Sequence, residues 1–246
     1  MKIIDAIWEQ KNLGVDTVEI EVSNQDTTTD LIQALLNCQA EYTVVKIPPN
    51  RFDLMEVLNQ REFHFIECIF ETENNAKTLH HRNPVQEKKA YVKMCNETTY
   101  CLMDEEDLQR LYEEIRQMIF STDRIAIDSF FGNEKATNRY VNWIATEVSN
   151  GTAKAFKVIY RENVIGFFVH KEIEKNVYQG LLMGLYHDYL GTGLGFLIDE
   201  KEREEHLKKS KRAIGYISSN NVPRMKLSFE ARSYLAKMQY VYIKHK

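Results

Sequence analysis

Near the end of the chain an apolar run, QGLLMGL (179–185), passes through YHDY into LGTGLG (190–195) and then into a charged segment, 199–212. The apolar run reads as a strand and the charged segment as a helix. A helix opens with amide N–H groups that have no partner inside it. Those amides and the helix dipole attract an anion. Glycines at the turn let a phosphate approach the main chain with no Cβ in the way. Strand, LGTGLG, helix therefore describes a pyrophosphate site at a strand-to-helix junction. A plain turn between strand and helix is the bland reading, but three glycines at alternate positions favour phosphate.

Two common phosphate motifs fail. A P-loop ends in GK[ST], which is absent. The dinucleotide fingerprint is G-x-G-x-x-G at a first strand-to-helix turn; Gly191, Gly193 and Gly195 have the wrong spacing and come late.

The rest of the chain alternates. Thr17–Val22 has period two and reads as a half-buried strand. Thr28-Thr29-Asp30 starts a helix with Leu31, Ala34 and Leu35 on one face. Tyr42–Ile47 is a strand, Phe52–Glu62 a short helix, Phe63–Phe70 a strand. This β-α-β-α-β order predicts a mostly parallel sheet. The polar segment 73–88 reads as a linker, and Tyr91–Thr98 as one more strand. Asp104-Glu105-Glu106 opens a helix carrying Leu108, Leu111, Tyr112, Ile115, Met118 and Ile119 at helical spacing. A second helix covers Glu134–Val148. Ala155–Tyr160 and Val164–Val169 flank Arg161-Glu162-Asn163 as a hairpin. Val177–Leu185 is a strand before the glycines; Arg212–Ile217, a helix from Pro223 and Gln239–Lys244 follow. No internal repeat stands out.

The 246 residues, 43% hydrophobic, suffice for one large domain or two small ones. A net charge of −4 and no basic–aromatic interleaving argue against nucleic acid. KKSKR (208–212) reads as a solvated helix end. No run approaches a membrane span and MKIIDAIWEQ is not a signal peptide. The four cysteines lack CxxC spacing; Cys68 in FIECIF reads as a small core residue. The expectation is a cytoplasmic protein with no metal; His80-His81 has no third ligand at fitting spacing.

The segment GLYHDYLGTGLG (184–195) resembles the acetyl-CoA loop of the GNAT (GCN5-related) N-acetyltransferases, R/Q-x-x-G-x-G/A. ISSNNVP (217–223) is similar to that family's fifth strand and asparagine turn, VIGFF to its second and third strands, and YVYIK to its last. The resemblance covers about residues 108–246. The whole chain, with EYTVVKIP and FIECIFE, looks most like the dTDP-fucosamine acetyltransferase type.

The resemblance implies a mixed α/β sheet of the GNAT type in residues 101–246, with a smaller α/β portion in 1–100 that shapes the acceptor pocket. It implies acetyl-CoA as cosubstrate, held by Leu185, Tyr186, Leu190, Gly191, Thr192, Gly193, Leu194, Gly195 and Asn221. The acceptor is a small amine, an amino sugar nucleotide being one candidate; a homodimer is left open. An amide near Leu185 polarises the thioester. Leu190 stands where the family has Gln or Arg. Ser228 stands where it often has the tyrosine acid, and at most orders a water. Asn221 is equally a helix cap. His187-Asp188 reads more as a strand-end cap than as a catalytic pair, and Tyr178 and Tyr234 are further acids to weigh. Trp8 and Trp143 read as core or interface anchors. The rival functions are a non-catalytic acyl-CoA-binding or regulatory module and an interaction domain whose loop binds nothing.

Overall fold

The computed structural model describes residues 1–75, 88–209, 211–230 and 233–246. His80-His81 and the linker beyond residue 75 lie outside these. Ten strands form one sheet: β1 (Lys2–Asp5), β2 (Thr17–Glu21), β3 (Tyr42–Ile47), β4 (His64–Asn75), β5 (Thr98–Leu102), β6 (Ala153–Tyr160), β7 (Asn163–Glu174), β8 (Val177–Leu185), β9 (Arg212–Ser218) and β10 (Tyr234–His245). The helices are α1 (Ile7–Leu13), α2 (Thr28–Asn37), α3 (Phe52–Gln60), α4 (Lys89–Asn96), α5 (Glu105–Arg116), α6 (Arg124–Ile127), α7 (Gly132–Ser149), α8 (Gly195–Lys209) and α9 (Val222–Glu230).

The strand order is β1-β2-β3-β10-β4-β9-β8-β7-β6-β5. Among the described residues only β2–β3 and β8–β9 are parallel. The expectation of a mostly parallel first half is corrected: β10, from the far end of the chain, lies antiparallel between β3 and β4. β4 in turn lies antiparallel to β9. The order is thus symmetric about the β10–β4 pair. The unit β2-α2-β3-α3-β4 matches β8-α8-β9-α9-β10, and each unit gives its last strand to the other. The repeat lies in topology, not in residues, which is why the sequence hides it.

Tyr91–Thr98 is also corrected. Tyr91, Met94 and Cys95 have i, i+3, i+4 spacing, and they pack as α4 against Phe196 and its neighbours, with Tyr91 stacked on Phe196 at 4.5 Å. Thr98 opens β5, its hydroxyl donating to Met94 O at 2.7 Å. The start of α5 follows its caps: Asp107 N–H donates to Asp104 at 2.9 Å and Asp104 N–H to Asp107 at 3.2 Å, an arrangement worth about 1 kcal/mol. The β6–β7 hairpin turns through Arg161 and Glu162, both left-handed at φ 49° and 68°. That geometry fits the twist of the strands without the usual Asn-Gly.

Two cores flank the sheet of the second half. Leu111, Ile115, Val141 and Ile144 pack on Phe167 and Val169. Phe156, Val158, Phe168, Leu197 and Ile198 pack on the opposite face. No helix among the described residues is long and apolar enough to cross a membrane. Nor does any group of three His, Cys, Asp or Glu among them fit a metal ion.

Candidate functional site

β8 and β9 pair only over Val177–Gln179 and Arg212–Ile214. Beyond that, β8 stays with β7 and β9 with β4, so the sheet opens. Tyr186 N–H donates to Ile165 O on the β7 side at 2.9 Å. Amides alternate along a strand, so Leu185 N–H points into the opening. The Tyr186 ring turns away and is 1% exposed, with Arg110 5.1 Å from its centroid. Tyr186 therefore contributes main chain rather than side chain to this opening.

The glycine loop stands at the end of β8. A short 3-10 turn, His187–Tyr189, leads to Gly191 and Gly193, left-handed at φ 74° and 79°. A Cβ on either would meet nothing within 4 Å, so the backbone conformation requires glycine and crowding does not. Thr192 Oγ1 donates to Tyr189 O at 2.6 Å and accepts from Leu194 N–H at 3.4 Å, which braces the loop. Among the described residues the amides of Gly191, Gly193 and Gly195 donate to no acceptor. Three open donors at the head of a fifteen-residue helix fit a diphosphate. Leu190 is 47% exposed beside them and offers no charge.

The vertex of the opening is Gly180. A Cβ there would lie 2.8 Å from Glu202 Oε1. Glu202 belongs to a run, Glu200–Glu205, in which five charged residues, Glu200, Lys201, Glu202, Arg203 and Glu205, are buried on α8, contrary to the solvated look of that segment. Burial pushes the Glu202 carboxyl up to about 7, against the pull of Arg224, with Asp199 adding to the rise. The folded value exceeds the ordinary 4.5, so folding takes up a proton. Stability from this group is full below that ordinary value and is lost as pH rises to about 7. Glu202→Gln should therefore stabilise the protein by about 3 kcal/mol more at pH 8 than at pH 4.5. Thermal unfolding at the two pH values checks this; equal gains would contradict it.

The opposite face of the opening is lined from both halves. Phe120, in the loop after α5, would be 3.2 Å from a Cβ on Gly184. Cys68 N–H donates to Ser219 Oγ at 2.9 Å, and Ser219 N–H to Cys68 O at 2.8 Å. Asn220 Nδ2 donates to Ile66 O at 3.3 Å. The loop leaving β9 is thus pinned on both sides of Glu67, which is 2% exposed. Burial raises the Glu67 carboxyl, opposed by Arg124 and by Ser218.

Asn221 takes the cap role: its Oδ1 accepts from Arg224 N–H at 3.1 Å, and Arg224 pairs with Asp199 at 2.5 Å. Ser228 is 3% exposed, facing a small cavity between α9 and the sheet with Phe70, Thr72, Ile217 and Met225. Its hydroxyl has no hydrogen-bond partner among the described residues. His187 and Asp188 stand 3.7 Å apart in solvent, 54% and 92% exposed, with His187 N–H donating to Glu114. Tyr234 is exposed. Glu67, Phe120, Arg124 and Glu9 were not singled out from the sequence. The signal for Glu67 was present, a lone carboxylate inside FIECIF.

No protein-family model and no curated protein matches the chain. Solved structures do. A GCN5-related N-acetyltransferase from Sphaerobacter thermophilus superposes with a TM-score of 0.62 at 11% identity, over 99% of this chain and 75% of that one. A tandem GNAT protein from the clavulanic acid biosynthesis pathway gives 0.53 at 9%, over 93% and 75%. A GCN5-related N-acetyltransferase from Kribbella flavida gives 0.52 at 11%, over 93% and 81%. The opening between two parallel strands, the glycine loop at its rim and these likenesses agree: the chain has the fold of the GCN5-related N-acetyltransferases.

Proposed function

We propose that the protein is an acetyl-CoA-dependent N-acetyltransferase acting on a primary amine of a small molecule. The observation that carries this reading is the set of undonated amides of Gly191, Gly193 and Gly195 in the loop beside the parting of β8 and β9. Leu190 and Thr192 to Gly195 would hold the diphosphate, and Leu185 N–H would polarise the thioester oxygen. The amine, an ammonium in solution, must lose a proton before attacking the acetyl carbon. The division of labour we propose is residues 101–246 for acetyl-CoA and residues 1–100 for the acceptor side. An amino sugar nucleotide is the acceptor that the whole-chain resemblance suggests.

A non-catalytic acyl-CoA-binding module is the second reading, favoured by the burial of Ser228 where an acid would be needed. Calorimetry with acetyl-CoA should show binding to the wild type and at least a tenfold loss in Gly193→Glu, whose carboxylate would stand where phosphate does. Gly193→Ala carries the backbone strain without the charge and should lose less. Equal affinity in wild type and Gly193→Glu would refute the loop assignment. Release of free CoA thiol with a panel of amines, followed with DTNB, separates enzyme from binding module.

A further inference from the structure

We propose that Glu67, on a strand of the first half, is the proton acceptor of the transfer, and that Arg124, held back by Glu9, leaves it free to act. The assignment rests on the N-acetyltransferase reading above. Glu67 takes a proton from the acceptor ammonium, directly or through a water. The freed amine nitrogen bonds to the acetyl carbon and the carbon–sulfur bond breaks. The second nitrogen proton passes to the departing thiolate, and Glu67 returns its own to solvent.

Three observations place the carboxylate. The main-chain contacts on Ile66 and Cys68 fix Glu67 at the end of β9, where the sheet has opened. Its side chain is 3% exposed, so it has left bulk water. Its nearest cation is loosely placed, with Arg124 Nη1 at 4.0 Å. Arg124 Nη2 is instead bound to Glu9 Oε1 at 3.0 Å, while Arg139 takes both Glu9 oxygens at 2.6 and 2.7 Å. The groups facing Glu67 are therefore Arg124 and Asp123 from α6 and its cap, Ser218 from β9 and Lys46 from β3. A tight arginine would hold the carboxylate as an anion and make it a poor base. Glu9, on α1, draws that arginine the other way.

Glu67→Gln should bind acetyl-CoA as the wild type does and lose at least a hundredfold in kcat/KM at pH 7 for whichever amine of the panel is turned over. The loss should shrink above pH 10, where the amine deprotonates itself, and Glu67→Asp should recover part of it. Glu9→Gln keeps a shared oxygen acceptor but removes the negative charge that draws Arg124 away from Glu67, and should move the acid limb of the profile to lower pH. Glutamate-13C NMR, with the Glu67 signal assigned by its absence in Glu67→Gln, reads the same titration without turnover. A Glu67 that titrates in the ordinary carboxylate range and ignores Glu9→Gln overturns the proposal, as does a Glu67→Gln enzyme of normal rate. Failure of the wild type to bind acetyl-CoA would instead remove the functional reading beneath it.

Discussion

Replacing Glu9 by alanine is expected to destabilise the protein by about 3–5 kcal/mol, because it strands two buried guanidiniums. Arg124 and Arg139 converge on this one carboxylate from α6 and α7. Without it the ion pairs left to them among the described residues are Arg139 with Asp123 at 3.6 Å and Arg124 with Glu67 at 4.0 Å. Burial pushes the Glu9 carboxyl up, but Arg139 and Arg124 more than offset it and hold it below its ordinary range. Its contribution is therefore present above the unfolded value and lost as pH falls through the depressed folded one. In a thermal melt at pH 7 the loss should lower Tm by roughly 10 °C. A change of under 1 kcal/mol would mean that water screens the network. Trp8 and Trp143, edge to face at 6.5 Å, bind the same two helices, α1 and α7, next to these charges. They fill the anchor role their type suggested.

Gly166→Ala should be nearly as costly, at about 3 kcal/mol, the upper end for overpacking. A Cβ on Gly166 would stand 2.2 Å from Gly184 O and 3.0 Å from Leu185 Cα. Both obstacles are backbone, so β8 itself must retreat from β7 just where Leu185 N–H is aimed. Urea unfolding should show the loss, and acetyl-CoA affinity should fall with it. Gly195→Ala is the stability control, because its Cβ would meet only Leu227 Cδ1 at an ordinary 3.6 Å. If Gly166→Ala unfolds like the control, the close approach of β7 and β8 at Gly166 is wrong.

Local pattern made much of this fold readable. A period-two run located β2, and short apolar runs bounded by turn residues located β3, β6, β7 and β8. Asp104 announced α5 because a cap is a local device. Lys2–Asp5 and Ile7–Leu13 were missed because four and seven residues hold too little periodicity. YVKMC reads equally as a strand or as one helical face; packing on Phe196 decides it. The glycine loop was legible since its backbone conformation demands its residue type. Glu67 left a trace as the lone carboxylate of an apolar strand, but its meeting with Arg124 and Glu9 did not, because it joins positions far apart in the chain. Ser228 was placed by counting along a motif, and counting cannot tell which side of a helix faces a cavity.

The traded strands also set a timetable for synthesis. β3 and β4 lie one strand apart with β10 between them, so the first hundred residues leave the ribosome with a slot in their sheet. That slot stays unfilled until residues 234–245 emerge. Early-made segments must wait with two raw edges exposed, a window in which a chaperone, or a neighbouring nascent chain, competes for them.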